Sequence, residues 1–221
     1  MTENDNPKPR RSLWLKFGGT AFLFLSGGTL LFFWYGGLLG SNFREVEPAK
    51  CYRSGQMSAD ELDKTIKQYG IKSVLNLRGE ARAAWYKDET ALCTFSGVKH
   101  VDLHFRLGEL PHPDVLKELV AQLEGGPFPV LFHCRNGADR TGMASVLYEM
   151  VVKKRPFEEA QSQMSWQQGH IDAGKAGCMD RFFDLYRQTG TGHDIKDWIV
   201  KTYPEVYAKE SSRLGLPATE D

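Results

Sequence analysis

Residues 128 to 142 read FPVLFHCRNGADRTG: an apolar run, a cysteine, a turn of small and polar residues, and then Arg-Thr-Gly. The run FPVLFHC is dense enough in large apolar residues to predict a strand buried on both faces. A predicted helix over 141–154 follows the turn. A strand that feeds a helix in this way places the turn at the carboxyl edge of a sheet, where α/β proteins bind ligands.

The turn has the composition of an anion-binding loop. Small residues let the backbone curl so that several N–H groups point to one centre, and the start of the next helix adds positive potential. Arg140 adds a planar fork that can bind two phosphate oxygens. The residues that we predict to bind a substrate phosphate are Arg135, Asn136, Gly137, Ala138, Asp139 and Arg140.

The same positive field favours the thiolate of Cys134, because a thiolate is also an anion. Cys134 is then a nucleophile aimed at the phosphorus that the loop holds. Thr141 could donate a hydrogen bond to the sulfur and help it leave when the thiophosphate is hydrolysed. Taken alone, Cys134 would be interpreted as a buried structural cysteine. The combination His-Cys-x5-Arg-Thr-Gly after an apolar strand favours the nucleophile instead.

This stretch resembles the signature loop H-C-x5-R-[ST]-G of the cysteine-dependent protein tyrosine phosphatase superfamily. The resemblance extends over roughly residues 50 to 190, with an early YRSGQ and a strand ending in NLR, and it is strongest to small bacterial dual-specificity-like phosphatases. It implies Cys134 as the nucleophile, Arg140 as the phosphate clamp and Thr141 as the hydroxyl after it. No metal or other cofactor is expected, because the loop and Arg140 supply the positive field that a cation would otherwise provide.

The general acid that protonates the leaving oxygen has more than one candidate. In the family, an Asp on a loop after an earlier strand usually serves, and Asp102 is close to that place but lies inside the predicted strand VKHVDLHF. The motif GADRT resembles the G-x-D-R-T loop of myotubularin-type inositol-lipid phosphatases and some secreted bacterial phosphatases, in which the loop Asp is a proposed acid. This resemblance makes Asp139 an equal alternative, and Glu109 is a third.

Other residues near the predicted site receive more modest interpretations. Arg135 adds positive charge at the rim, which would favour substrates with more than one phosphate. We expect Arg78 to pair with Glu80, although it could instead touch the phosphate pocket. His133 is predicted to brace the loop by hydrogen bonds. His170 is predicted to pack beside the site, with contact to the substrate as the alternative.

Strands alternate with helices along the chain, which predicts an α/β fold with a central, mostly parallel sheet flanked by helices, as in protein tyrosine phosphatases. The predicted strands are CYRSGQ, IKSVLNL, VKHVDLHF and FPVLFHC. A first helix is predicted over SADELDKTIKQYG, with a capping box at its start and a glycine at its end. Further helices are predicted over 80–95, 113–124, 141–154, 157–168, 179–188 and 194–201.

The N-terminal region contains a long uncharged apolar stretch. Residues 17–40 carry no charge and, as a helix, would exceed the thickness of a hydrocarbon core. We therefore predict one N-terminal transmembrane helix, since a cleaved signal peptide would be shorter and followed by a clearer cleavage site. The predicted organisation is a basic tail (1–16), the anchor (17–40), a linker (41–49), the phosphatase domain (50–209) and a mobile tail (210–221).

These features predict a single-pass protein, in a bacterial inner membrane, that hydrolyses phosphate monoesters through a cysteinyl-phosphate intermediate. The charges flanking residues 17–40 lean slightly toward a catalytic domain outside the cell. Phosphotyrosine or dual-specificity protein substrates are the main hypothesis. The alternatives are a phospholipid-headgroup phosphatase (phosphoinositide or phosphatidylglycerophosphate) and a non-catalytic phosphate-binding module. The balanced charge, with 28 basic and 28 acidic residues, argues against nucleic acid as a partner and leaves the oligomeric state open.

Overall fold

A computed structural model describes residues 41–171, 174 and 177–213. The strands are β1 (Arg44–Glu47), β2 (Cys51–Ser54), β3 (Ser73–Asn76), β4 (Lys99–Asp102) and β5 (Val130–His133). The helices are α1 (Ala59–Tyr69), α2 (Ala84–Phe95), α3 (Pro113–Gly125), α4 (Asp139–Val151), α5 (Phe157–Ala160), α6 (Gly177–Thr189), α7 (Ile195–Lys201) and α8 (Tyr203–Arg213).

The transmembrane anchor predicted at 17–40 lies outside the described residues. Within the part of the chain that the structure describes, no helix combines the length and the apolar character needed to cross a membrane.

The five strands form one mixed sheet with the order β1-β2-β5-β3-β4. All neighbours are parallel except β1 and β2, as the alternation of strands and helices predicted. Strand β5 lies at the centre, and all four of its residues are buried. Ser54 and Asn76 both pair with His133, and Asn76 also pairs with Asp102. The carboxyl ends of four strands therefore meet along one edge of the sheet.

Successive strand residues point to opposite faces of the sheet, and apolar residues on both faces pack against helices. On one face, Leu131 of β5 and Val74 of β3 pack with apolar residues of α1 and α2. On the other face, Phe132 and Leu75 join the larger cluster, to which α3, α4, α6, α7 and α8 contribute. Helix α4 runs through this larger cluster, and every residue from Arg140 to Val151 is buried. The predicted α/β architecture is thereby confirmed.

Local signals set several element boundaries correctly. The Ser58 hydroxyl accepts a hydrogen bond from the backbone of Glu61, and the Glu61 carboxylate accepts one from the backbone of Ser58, which is the predicted capping box. Gly70 ends α1 in a left-handed conformation with φ +62°. Pro113 opens α3, where its missing N–H costs no helical hydrogen bond.

Three segments differ from the predictions. The segment 41–49, predicted as a linker, contains β1, because Val46 is buried and Phe43 stacks on Tyr52 at 5.6 Å. The single helix predicted at 157–168 is instead α5 followed by two short 3₁₀ turns at Gln161–Gln163 and Trp166–Gln168. Residues of the predicted mobile tail continue α8 as far as Arg213, where Glu210 bonds to Arg181 at 3.0 Å. Residues 214–221 lie outside the described residues.

Candidate active site

The loop of residues 134–140, called the Cys134 loop below, leaves the carboxyl end of the central strand and enters α4. Cys134 is almost fully buried, and its backbone N–H donates to the carbonyl of Ser54 at 3.4 Å. The Thr141 hydroxyl donates to the same carbonyl, also at 3.4 Å. One backbone oxygen at the end of β2 therefore holds both the start of the loop and the first turn of α4.

The carbonyls of the loop point away from its centre. The carbonyl of Arg135 accepts from the backbone N–H of Gln56 at 3.1 Å. The next three carbonyls, of Asn136, Gly137 and Ala138, accept hydrogen bonds from side chains outside the loop. Each N–H lies opposite the carbonyl of the preceding residue in a planar trans peptide. The N–H groups that follow these four carbonyls therefore turn toward the inside of the loop, which is the geometry of an anion-binding nest.

Two side chains from the start of the folded domain hold the loop open. Arg53 of β2 donates from Nη2 to the carbonyls of Gly137 (2.9 Å) and Ala138 (3.4 Å). Burial lowers the pKa of Arg53 to about 10, so the guanidinium stays charged at neutral pH. Asn42 donates from Nδ2 to the carbonyls of Asn136 (3.2 Å) and Gly137 (3.1 Å). The loop therefore depends on two side chains that touch only its outer surface.

Gly137 is required by a close approach between the loop and β2. Its φ is +69°, and a methyl group added there would lie 2.5 Å from the backbone nitrogen of Gly55 and 2.7 Å from the carbonyl carbon of Ser54. Only glycine allows both the left-handed backbone and this contact.

Arg140 lies in the first turn of α4 and reaches across the carboxyl edge of the sheet. Its Nη1 donates to the carbonyls of Leu77 (3.4 Å) and Phe105 (3.2 Å), which follow β3 and β4. Its hydrogen bonds to the described residues all come from Nη1. Nε and Nη2, the other side of the fork, are therefore available for two oxygens of a phosphate.

Asp139 forms a hydrogen-bonded chain with two residues of the C-terminal half. Its Oδ1 lies 2.7 Å from Nδ1 of His170, and Nε2 of His170 lies 3.0 Å from Oδ2 of Asp180 in α6. His170 is nearly fully buried. Burial alone would lower the pKa of His170, but its hydrogen bonds to the two carboxylates raise it to about 9. The protonated side chain of His170 thus links the carboxylate of Asp139 to that of Asp180 on α6.

Asp102, the other leading candidate for the general acid, is engaged by its neighbours. Its Oδ1 accepts from Nδ2 of Asn76 at 2.7 Å, and its Oδ2 accepts from the hydroxyl of Tyr86 at 2.6 Å. The hydrogen bond to Asp102 raises the pKa of Tyr86, so this hydroxyl keeps its proton. Glu109, the third candidate, is half-buried, and its Oε2 lies 3.7 Å from Nη1 of Arg106. The structure thus places Asp139 on the Cys134 loop and leaves the other two carboxylates off it.

A buried carboxylate braces the residue before the cysteine. Oε1 of Glu89, on α2, lies 3.0 Å from Nε2 of His133 and 2.9 Å from Nε2 of His100. Its Oε2 accepts from Nε2 of Gln56 at 2.8 Å. Burial opposes the charge on Glu89, but the bonds to His100, His133 and Gln56 outweigh it and lower the pKa to about 2. His133 therefore braces the loop, as predicted.

Arg78 does not form the expected pair with Glu80 among the described residues. Its guanidinium lies 3.8 Å from the centre of the Trp85 ring, and its Nη1 donates to Oε1 of Gln56 at 2.9 Å. The sequence suggested a contact with the phosphate pocket only as an alternative, and the structure favours that alternative because Gln56 also binds the Cys134 loop.

Sequence patterns indicated the loop but not the residues that hold it. The residues missed are Asn42, Arg53, Gln56, Glu89 and Asp180. Arg53 and Gln56 belong to the quoted YRSGQ motif, so a signal was present, although it did not reveal the contact. Asn42, Glu89 and Asp180 lie in segments without any distinctive pattern, and only the fold brings them to the site.

Comparisons with solved structures show the fold that this chain shares with known proteins. Two solved structures share the fold at low sequence identity. TpbA of P. aeruginosa, in a cysteine-to-serine variant bound to phosphotyrosine, is 18% identical, with a TM-score of 0.52 over 72% of this chain and 93% of TpbA. Tk-PTP in its active form is 16% identical, with a TM-score of 0.52 over 65% of this chain and 97% of Tk-PTP. No curated protein matches the sequence.

A match to a family model assigns the chain to a protein family. Residues 35–155 match the model of the tyrosine phosphatase family, and this range covers more than half of the chain. It includes β1 to β5, the Cys134 loop and all of α4, so the match contains the predicted nucleophile and the strands that lead to it. The chain therefore belongs to the tyrosine phosphatase family.

Proposed function

We propose that this phosphatase removes phosphate from phosphotyrosine, and also from phosphoserine or phosphothreonine, in proteins, through a cysteinyl-phosphate intermediate. The observation that carries the proposal is the Cys134 loop, in which four consecutive carbonyls turn outward and leave the N–H groups to surround a dianion. Arg140 closes this nest from the side of α4.

In the first step, Sγ of Cys134 attacks the phosphorus, and the bond from phosphorus to the leaving oxygen breaks. The inward N–H groups and the fork of Arg140 bind the three non-bridging oxygens and stabilise the charge that develops on them. The leaving oxygen takes a proton from the general acid. In the second step, water attacks the phosphorus, the sulfur leaves as the thiolate, and inorganic phosphate is released. The Thr141 hydroxyl, which donates to the Ser54 carbonyl in this structure, can assist the sulfur only by turning toward it.

We assign the general acid to Asp139. Its Oδ1 faces His170, so its other oxygen can serve the leaving group, whereas both oxygens of Asp102 accept hydrogen bonds from Asn76 and Tyr86. The imidazolium of His170 stabilises the carboxylate that remains after the proton has left. In the second step the same carboxylate takes a proton from the attacking water, so one residue serves both steps.

A phospholipid-headgroup substrate is the second candidate. The observation that favours it is the uncharged apolar sequence of residues 17–40, which we propose anchors the chain in a membrane. An anchored enzyme would work next to phosphorylated headgroups. We propose the bacterial inner membrane as the location, with the catalytic domain outside the cell.

Phosphate release by the full chain in detergent, with reducing agent and without metal, tests both candidates. The substrates are an aryl phosphate, phosphotyrosine and phosphoserine peptides, and phosphoinositide and phosphatidylglycerophosphate micelles. Cys134→Ser should reduce release to background, while Cys51→Ala, at the opposite end of β2, should retain activity. The preferred substrate separates protein from lipid. A folded, reduced chain that binds phosphate but releases none from any substrate would instead be a non-catalytic binding module.

A further inference from the structure

Arg78 is held in place by neutral partners. Its backbone N–H donates to Oδ1 of Asn76 at 3.0 Å, its guanidinium stacks on Trp85, and its Nη1 donates to Gln56. Within the described residues, no carboxylate lies within ion-pair distance of this guanidinium. Stacking and a single neutral hydrogen bond fix the orientation of the group but do not neutralise its charge.

This guanidinium lies beside the Cys134 loop. Gln56 accepts a hydrogen bond from Arg78 with its side chain and donates one to the carbonyl of Arg135 with its backbone, so Gln56 connects Arg78 to the Cys134 loop. On the other side, Arg140 donates to the carbonyl of Leu77, the residue just before Arg78. Burial lowers the pKa of Arg78, and the positive charges of Arg140 and Arg135 lower it further, as expected for three guanidinium groups gathered in one place.

Arg78, Arg135 and Arg140 together carry more positive charge than is required to bind one phosphate. In the proposed function, Arg140 and the loop N–H groups already bind the oxygens of the phosphate that is cleaved. Arg135 is exposed at the rim of the loop, and the described residues give its side chain no ion pair. The guanidinium groups of Arg78 and Arg135 therefore add two positive charges at the mouth of the site beyond those that bind the phosphate that is cleaved.

We propose that Arg78 and Arg135 form a second anion subsite, which binds another phosphate or a carboxylate of the substrate next to the phosphate that is cleaved. This inference rests on the proposed function, since it concerns the same site. The preferred substrates are then phosphate monoesters with a neighbouring anionic group. A phosphopeptide with an adjacent phosphorylated or acidic residue, or a headgroup with two phosphates, could supply it.

The first measurement compares inorganic phosphate with pyrophosphate, both as competitive inhibitors of aryl phosphate hydrolysis and by calorimetric titration, with the full chain in detergent. The second compares kcat/KM for three phosphotyrosine peptides with a serine, a phosphoserine or a glutamate beside the phosphotyrosine. We expect the wild-type chain to favour the ligands with a second anion by roughly ten- to hundredfold, as for a charge-assisted hydrogen bond. The phosphoserine and glutamate peptides distinguish a phosphate subsite from one that accepts any anion.

The variants are Arg78→Gln and Arg135→Gln, with Arg187→Gln on α6 as a control that removes the same charge elsewhere. Each subsite variant should lose most of the preference, measured as the ratio of kcat/KM for the phosphoserine and serine peptides and as the ratio of affinities for pyrophosphate and inorganic phosphate, whatever its own rate on the serine peptide. The control should keep the preference. An absent preference in the wild-type chain, or one that survives in both subsite variants, would overturn the inference. If no monoester is hydrolysed, the proposed function fails, and the calorimetric comparison still decides whether the subsite exists.

Discussion

At the scale of single residues, hydrogen-bond partners distinguish two similar carboxylates. Asp102 and Asp139 both lie near the carboxyl edge of the sheet, and sequence patterns alone favour neither as the general acid. Asp102 accepts two short hydrogen bonds from neutral donors, which position it within the fold. Asp139 is bound on one oxygen by a cation and belongs to the Cys134 loop. A short-range motif cannot encode this difference, because His170 and Tyr86 come from other parts of the chain.

The assignment of the acid predicts how each variant responds to the leaving group. Asp139→Asn should lower kcat/KM by about 10²- to 10⁴-fold for esters of weakly acidic alcohols and phenols, which leave only with a proton. It should have little effect on p-nitrophenyl phosphate, whose phenolate leaves unaided. Asp102→Asn should change kcat/KM by a similar factor for all of these substrates. The measurement is kcat/KM over a series of aryl phosphates whose leaving groups differ in acidity. A steeper dependence of kcat/KM on this acidity for Asp102→Asn than for Asp139→Asn would reverse the assignment.

At the scale of elements, the site depends on how closely the Cys134 loop packs against β2. The sequence predicted both elements well, since dense apolar residues and small loop residues are local signals. It did not predict that Arg53 would hold two loop carbonyls, because these contacts join residues more than eighty positions apart. For the same reason β1 and α8 were missed: their own patterns are weak, and partners elsewhere in the chain bury Val46 and Tyr203.

The packing of the loop on β2 predicts different effects for two glycine substitutions. Gly137 and Gly97 have nearly the same backbone, with φ +69° and +65°, but only Gly137 has neighbours that an added methyl would strike. Gly97→Ala should cost about 1–2 kcal/mol, the strain of a left-handed residue. Gly137→Ala should cost more, because the loop must shift away from Gly55, and should also lower kcat/KM.

Urea unfolding and aryl phosphate hydrolysis of the two glycine variants provide the measurement. Gly97→Ala serves as the matched control, because it carries the same backbone strain at a site with no neighbour within 4 Å. Equal losses of stability with unchanged activity in both variants would show that the loop does not need this close approach.

At the scale of the whole molecule, His170 links the Cys134 loop to α6, and this link should make stability depend on pH. The pKa of His170 is raised from 6.5 to about 9. The folded state therefore binds this proton more tightly than the unfolded chain. Its contribution is fully present below pH 6.5 and is lost as pH rises through about 9. The size is on the order of 3 kcal/mol.

Urea unfolding at pH 6 and pH 9.5 measures this contribution. The parent chain should lose more free energy of unfolding between the two values than His170→Gln, in which the link is absent. His193→Gln, at an exposed position, should behave like the parent. Equal losses of unfolding free energy between pH 6 and pH 9.5 in the parent and in His170→Gln would mean that the imidazolium does not stabilise the fold.

The contacts of Asn42 determine where the catalytic domain can be cut from the rest of the chain. This amide binds two carbonyls of the Cys134 loop and also the carbonyl of Gln168, while Arg44 donates to Asn42 Oδ1 and to the carbonyl of Gln167. A truncated protein that starts after Asn42 would keep every residue assigned to catalysis and still lack a support of the loop that surrounds Cys134. The first residues after the apolar stretch therefore belong to the enzyme, and a shortened version should begin no later than Ser41.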